Sequence, residues 1–161
     1  MPDQFTARSP ADLPDQARIL SMSGLEFIEA IRDGKIGGAP IAGLMNFHIH
    51  DVSHGKVTFR GAPEFHHFNP MGGVHGGWYG TILDSALGCA VATTLPRGKV
   101  YTTLEYKVNL TRALKPGVLV DCTATVQHTG RSTAVAEAEI RGVEDGKLYA
   151  TGSTTCIVMT P

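Results

Sequence analysis

Asn69-Pro-Met-Gly-Gly-Val-His75-Gly76-Gly77-Trp-Tyr-Gly80-Thr-Ile-Leu-Asp84-Ser-Ala-Leu-Gly88-Cys-Ala-Val-Ala-Thr-Thr-Leu95 is the stretch from which the rest of the chain is read. From Gly76 onward, apolar residues fall at Tyr79, Ile82, Leu83, Ala86, Leu87 and Ala90. That is the i, i+3, i+4, i+7 spacing of a helix stripe. Gly77, Thr81, Asp84 and Gly88 lie on the opposite side. Asp84 is the sole charged residue between Gly76 and Leu95, so the helix is expected to be buried on most of its surface. A glycine inside a helix costs roughly 1 kcal/mol against alanine. Gly77, Gly80 and Gly88 therefore predict a close approach, either tight packing or a ligand or partner backbone passing beside Asp84.

His75-Gly76-Gly77 opens this helix. The first N–H groups of a helix have no internal partner and carry the positive end of the macrodipole. Glycines leave them uncovered, free to polarise a carbonyl oxygen or hold an oxyanion. A rise of 1.5 Å per residue puts Gly76 and Asp84 about 12 Å apart along one helix. One acyl group cannot meet both at reacting distance. For both to act on one substrate, the carboxylate must come from a second copy of the chain, its helix antiparallel to the first.

Upstream, residues 1–15 show no periodicity, and 1–22 read as a loose N-terminal arm before a domain at 23–161, with a possible extra turn at 16–22. Ser23 and Glu26 form a capping box ahead of Leu25, Phe27, Ile28 and Ile31, and Asp33-Gly34 ends that helix. Gly37 to Pro40 reads as a linker. From Ile41 the period becomes two, predicting a strand, a turn at Ser53-His54-Gly55-Lys56 and a returning strand Val57–Phe65 with Pro63 at an edge or bulge. The loop 66–73 delivers Asn69. Downstream of the long helix, strands are expected at 100–110, 118–127, 132–141 and 147–158, with turns at Lys115-Pro116-Gly117, Thr129-Gly130-Arg131 and Glu144-Asp145-Gly146. The order α-β-β-α-β-β-β-β with short turns means an α+β protein with an antiparallel sheet.

At 161 residues the chain is one domain with a real core. A net charge of −1 argues against a general nucleic-acid binder. No apolar run approaches the ~18 residues that cross a membrane, and the start lacks the basic-to-apolar pattern of a secretory leader. Cys89, Cys122 and Cys156 are odd in number and sit among apolar residues, so they read as reduced core thiols of a cytoplasmic protein. His48 and His50 share a strand face, with His54, His66 and His67 elsewhere. They lack the Cys or acid partners of a zinc set, and no metal is expected.

The spacing Asn69, His75-Gly76-Gly77, Asp84, followed by four strand-like runs, resembles the hotdog-fold thioesterases of the PaaI-like (phenylacetic acid degradation) and 4-hydroxybenzoyl-CoA type. The similarity spans about Gly24 to Met159. It implies a curved antiparallel sheet wrapped around one long central helix, here with an extra N-terminal helix. It also implies hydrolysis of an acyl-CoA, with an aromatic or medium-chain acyl group, to a carboxylate and free CoA. In such enzymes Asp84 is general base or nucleophile, and Gly76 supplies the polarising N–H. Gly77 is more a packing residue than a donor. Asn69 helps place the thioester or the attacking water, unless it only closes a turn before Pro70. His75 orients the loop and caps the helix.

Thr103, or less well Thr102, matches the hydroxyl that bonds the catalytic carboxylate. Gly88 stands where the benzoyl-CoA branch has a Thr, which moves the chain toward the PaaI-like branch. Arg112, Arg131 and Ser132, near strand ends, are candidates for contacting the CoA nucleotide. No cofactor is implied beyond the CoA of the substrate. A homodimer, paired again into a tetramer, is expected. Two alternatives are a non-hydrolytic acyl-CoA-binding domain on the same fold and a hotdog dehydratase, whose His–acid pattern is absent.

Overall fold

Helix α4 runs Gly76–Ala92 and is the hub of the molecule. Its side chains Ile82, Leu83, Ala86, Leu87, Ala90 and Val91 are wholly removed from solvent. Burying a leucine- or isoleucine-sized side chain contributes about 1.5–3 kcal/mol. This one helix therefore anchors the core. The computed structural model describes residues 4–161.

Six strands wrap α4: β1 (Phe47–Ser53), β2 (Lys56–Gly61), β3 (Val100–Leu110), β4 (Val120–Thr129), β5 (Thr133–Gly142) and β6 (Leu148–Met159). Every pairing is antiparallel and the spatial order is β1-β2-β4-β5-β6-β3. Most inward positions of β4 and β5 are small: Cys122, Ala124, Ala134, Ala136 and Ala138 are buried there, with Val120 and Ile140 the larger exceptions. Small side chains on that face let the helix lie close to the sheet. The sheet's two ends, β1 and β3, flank the one side of α4 that the sheet leaves uncovered. Helix α2 (Gly24–Arg32) packs there, against β1 and α4. Its capping box is formed as expected: the Ser23 hydroxyl accepts from the Glu26 N–H at 3.2 Å, and the Glu26 carboxylate accepts from the Ser23 N–H at 2.8 Å.

Two helix glycines answer the question of close approach. A β-carbon on Gly88 would lie 2.6 Å from the Tyr101 hydroxyl oxygen, and one on Gly80 would lie 3.2 Å from that of Tyr106. Both tyrosines come from β3 of the same chain. At these positions tight packing within the chain, rather than a ligand or partner backbone, is the reason for glycine.

Several local expectations need correction. Residues 41–44 are not strand, and Pro40 is not the end of a linker. Pro40 starts a short helix α3 (Pro40–Leu44), the position where its fixed φ and missing N–H suit a helix. The strand predicted over 57–65 spans Lys56–Gly61, and Phe65–His67 form a 3-10 turn beyond Pro63. Residues 4–7 are docked rather than loose. Gly38 N–H donates to the Phe5 carbonyl at 2.7 Å, and Ala7 N–H to the Gly38 carbonyl at 3.0 Å. Ala7 is buried. A 3-10 turn at Pro10–Asp12 and helix α1 (Gln16–Leu20) follow. Residues 1–3 of the expected arm lie outside the described residues. No helix among the described residues is long and apolar enough to cross a membrane. All three cysteines are free thiols.

Candidate active site

The loop before α4 is tied at both ends. Asn69 N–H donates to the Gly73 carbonyl at 2.8 Å, and the Asn69 side-chain oxygen accepts from Met71 N–H at 2.9 Å and Gly73 N–H at 3.2 Å. This is the turn-closing arrangement that short amide side chains favour. It occupies the amide oxygen of Asn69, and its NH2 group has no hydrogen-bond partner among the described residues. His75 follows with extended φ −64° and ψ 138°, and its Nδ1 accepts from Gly77 N–H at 2.8 Å. His75 therefore caps the helix, as its position implies, and in doing so takes up the N–H of Gly77. Its own N–H donates to the His67 carbonyl at 2.9 Å.

The consequence falls on Gly76. It is the first residue of α4, it is exposed, and its N–H meets no acceptor among the described residues. Such a donor at the positive end of a 17-residue helix is available to an external oxygen. The nearest non-neighbouring atom to a β-carbon built there is Leu110 Cδ1, at 3.4 Å. Gly76 thus sits beside the far end of β3.

Asp84 sits two turns further along, half-buried, and its carboxylate accepts from the Thr103 hydroxyl at 3.1 Å. Of the two threonine candidates, Thr103 is the one aimed at the acid, while Thr102 is exposed. A bulge at Leu104 separates Thr103 from the regular pairing of Glu105 with Thr155. Asp84, Ser85 and Thr103 face a cavity of about 300 Å³ that is otherwise largely apolar, with Phe5, Phe47, Ile49 and Tyr101 in its walls. Burial pushes the neighbouring Cys89 thiol up to about 12, with the Asp84 charge adding to the effect. That burial keeps the thiol protonated at neutral pH, which argues against a nucleophilic role. Among the described residues no three His, Cys, Asp or Glu side chains converge in a way that could hold a metal ion.

One chain does not bring its own candidates together. Gly76 is beside Leu110 and Asp84 beside Thr103, seven residues apart on β3. Arg112 follows β3 and its N–H donates to the Tyr149 carbonyl at 3.2 Å, whereas the Ser132 carbonyl accepts from Val158 N–H at 2.9 Å. Tyr149 and Val158 are nine residues apart near the two ends of β6, about 30 Å at the usual strand rise. Arg112 and the exposed pair Arg131–Ser132 thus mark opposite ends of the sheet.

Sequence reasoning missed part of the cavity. The segment Gln4–Thr6 forms one wall, held by the Gln4 side chain, whose amide both donates to the Ile49 carbonyl and accepts from Ile49 N–H at 3.1 Å. Nothing in the composition of residues 4–7 signals this docking. Tyr101 and Cys89 line the cavity too. Gly88 was the signal for Tyr101, because it leaves room for a large side chain on the helix.

The family model of the thioesterase superfamily matches residues 71–149. The Caenorhabditis elegans protein named "Putative esterase F42H10.6" is 30% identical over 105 residues, covering 65% of this chain and 62% of that protein. The chain thus spans a little over three-fifths of that curated relative. Conserved protein PA5202 from Pseudomonas aeruginosa superposes with a TM-score of 0.70 at 30% identity, over 76% of this chain and 95% of the other. A phenylacetic acid degradation-related protein from Ralstonia eutropha gives a TM-score of 0.74 at 27% identity, over 81% and 98%. A hypothetical thioesterase protein from Streptococcus pneumoniae, solved with coenzyme A, gives 0.65 at 25% identity, over 71% and 87%. With its single long helix inside an antiparallel sheet, and on these similarities, the chain belongs to the thioesterase superfamily, in its PaaI-like hotdog branch.

Proposed function

We propose that this protein hydrolyses an acyl-CoA thioester, with an aromatic or medium-chain acyl group, to a carboxylate and free CoA. The observation that carries this reading is Asp84: the one charged residue of α4, held by the Thr103 hydroxyl at 3.1 Å and facing a largely apolar cavity. Family membership supports thioester chemistry, and the coenzyme A bound to the Streptococcus pneumoniae relative supports a CoA ester as substrate.

The reaction centre is shared by two subunits. The free edge of β3 exposes Leu104, Tyr106 and Leu110, and unpaired edges of this kind favour pairing with another strand. Antiparallel pairing of two such edges about a two-fold axis near Tyr106 brings the Leu110 end of one chain alongside the Thr103 end of the other. The partner subunit's Gly76 then faces this chain's Asp84. Its N–H donates to the thioester carbonyl and to the oxyanion that forms from it.

Asp84 acts in one of two ways. As a base it takes a proton from water, and the hydroxide adds to the carbonyl carbon; the carbon–sulfur bond then breaks and CoA leaves as the thiolate, which is protonated. As a nucleophile it forms an acyl anhydride with release of CoA thiolate, and water then hydrolyses the anhydride. In either route Thr103 keeps the carboxylate in one orientation. Asn69, through its NH2 group, helps position the thioester or the water, while Arg112, Arg131 and Ser132 meet the CoA nucleotide. The opposite ends of the sheet that they occupy in one chain fit a substrate that crosses the dimer. Two dimers associate into a tetramer.

The test is release of free thiol from a panel of acyl-CoA esters. Asp84→Asn keeps an oxygen for the Thr103 hydroxyl but removes the base, and turnover is expected to fall by about 10²–10⁴. Turnover within a few-fold of the parent protein would remove Asp84 from the chemistry and the reading with it.

A further inference from the structure

The uncovered side of α4 holds two adjoining cavities. The first is the ~300 Å³ chamber that contains Asp84. The second, about 450 Å³, lies beneath α1 and α2 and is walled by Ile19, Met22, Phe27, Ile28 and Leu95. Lys99 is the one charged residue among its lining groups. Ile31, Ala39, Cys89 and Tyr101 line both cavities.

This shared wall is held firmly. Tyr101 lies so close over the helix that a β-carbon on Gly88 would come within 2.6 Å of its hydroxyl oxygen. Burial raises the Tyr101 phenol well above its ordinary value, so the ring stays neutral. Ile31 projects from α2, and its Cγ2 would lie 3.4 Å from a β-carbon on Gly38. The same Gly38 hydrogen-bonds the N-terminal strap at Phe5 and Ala7. Strap, α2 and β3 therefore meet at one partition. Along α4 it begins five residues beyond the acid, at Cys89, about 7.5 Å away.

We infer that Ile31, Cys89 and Tyr101 form the end wall of the acyl chamber and set the length of the acyl group the enzyme takes. The inference rests on the thioester hydrolysis proposed above. With the wall in place, the space beyond Asp84 accommodates a phenyl ring or a short chain. A long chain meets Cys89 and Tyr101 while the apolar space behind them stays closed. Shortening the wall joins the two chambers and admits the distal methylenes of a long chain. Two further methylenes removed from water, at about 0.8 kcal/mol each, correspond to roughly tenfold in binding of the transition state.

The experiment measures kcat/KM for phenylacetyl-, hexanoyl- and palmitoyl-CoA with the parent protein, Ile31→Ala and Cys89→Ala. The two variants open the partition from different helices, so a folding defect in one leaves the other to decide. Circular dichroism and thermal unfolding establish that each is folded. The parent is expected to favour the two short substrates over palmitoyl-CoA. The palmitoyl-to-hexanoyl ratio is expected to rise about tenfold in Ile31→Ala and several-fold in Cys89→Ala. A parent that already handles palmitoyl-CoA as well as hexanoyl-CoA overturns the inference alone. So does a ratio that stays within twofold in every folded variant. Hydrolysis of none of the three esters overturns both this inference and the proposed function.

Discussion

Replacing Gly76 by proline isolates one atom of the proposed site, the backbone N–H. Gly76 is the first residue of α4, where proline is favoured because the N–H has no helical partner and φ near −65° suits the helix. Proline also demands an extended conformation of the residue before it. His75 already has φ −64° and ψ 138°. A β-carbon has room there, since the closest atom to it is Leu110 Cδ1 at 3.4 Å. The cap from Gly77 N–H to His75 Nδ1 is untouched. Stability is therefore expected to hold or to rise by about 0.4–1 kcal/mol through a stiffer unfolded chain. Catalysis loses its oxyanion donor, which costs about 10²–10³ in kcat, or roughly 2.7–4 kcal/mol. Thiol release from hexanoyl-CoA, read beside a thermal unfolding curve, gives both numbers. A folded Gly76→Pro protein with kcat within threefold of the parent would refute the assignment of the oxyanion site to Gly76.

Thr103 is separable from Asp84 by the same assay. Thr103→Val removes the hydroxyl that donates to the carboxylate at 3.1 Å and is expected to lower kcat about tenfold with little change in KM, while Thr103→Ser restores most of it; equal loss in both variants would point to packing instead. The Glu26 carboxyl in the α2 capping box is held down to about 2, first by the Ser23 N–H, then by Arg97 and the Ser23 hydroxyl. Its folded value lies below the unfolded 4.5, so its stabilising contribution is full above about pH 4.5 and disappears as pH falls toward 2. Thermal midpoints of the parent and Glu26→Gln should thus converge across that window and stay apart at neutral pH; parallel curves would contradict the assignment.

The parts of the fold legible in the sequence are those where one interaction dominates. The stripe Ile82, Leu83, Ala86, Leu87 and Ala90 has no other use than burial, and the helix starts at Gly76 as read. Turns with an obligate left-handed glycine, such as Gly55 and Gly146, stand where expected. Residues 41–44 are helix rather than strand because a period of two in a short apolar run does not outweigh Pro40 at a helix start. The docking of residues 4–7 was invisible because it depends on backbone groups of Gly38 and on a single side chain, Gln4, meeting Ile49. At the site, Asp84 was legible as the one charge on an apolar helix, and His75 as a cap. The choice of Thr103 over Thr102 was harder, because the bulge at Leu104 shifts which strand residues face the helix. The end wall of Ile31, Cys89 and Tyr101 joins three elements far apart in sequence, so no local pattern could announce it.

The claim beneath all of this is that each reaction centre draws its acid from one chain and its amide from another. Subunit complementation tests it directly. Asp84→Asn and Gly76→Pro proteins, each nearly inactive alone, are mixed, unfolded and refolded together. A mixed dimer then contains one centre with both residues intact and one with neither, so random reassociation should restore about a quarter of the parent activity in a two-fold dimer. Activity that stays at the level of the separate variants, in a mixture shown by tagged pull-down to contain mixed dimers, would mean that each chain works with its own Asp84 and Gly76, and the shared centre would be wrong.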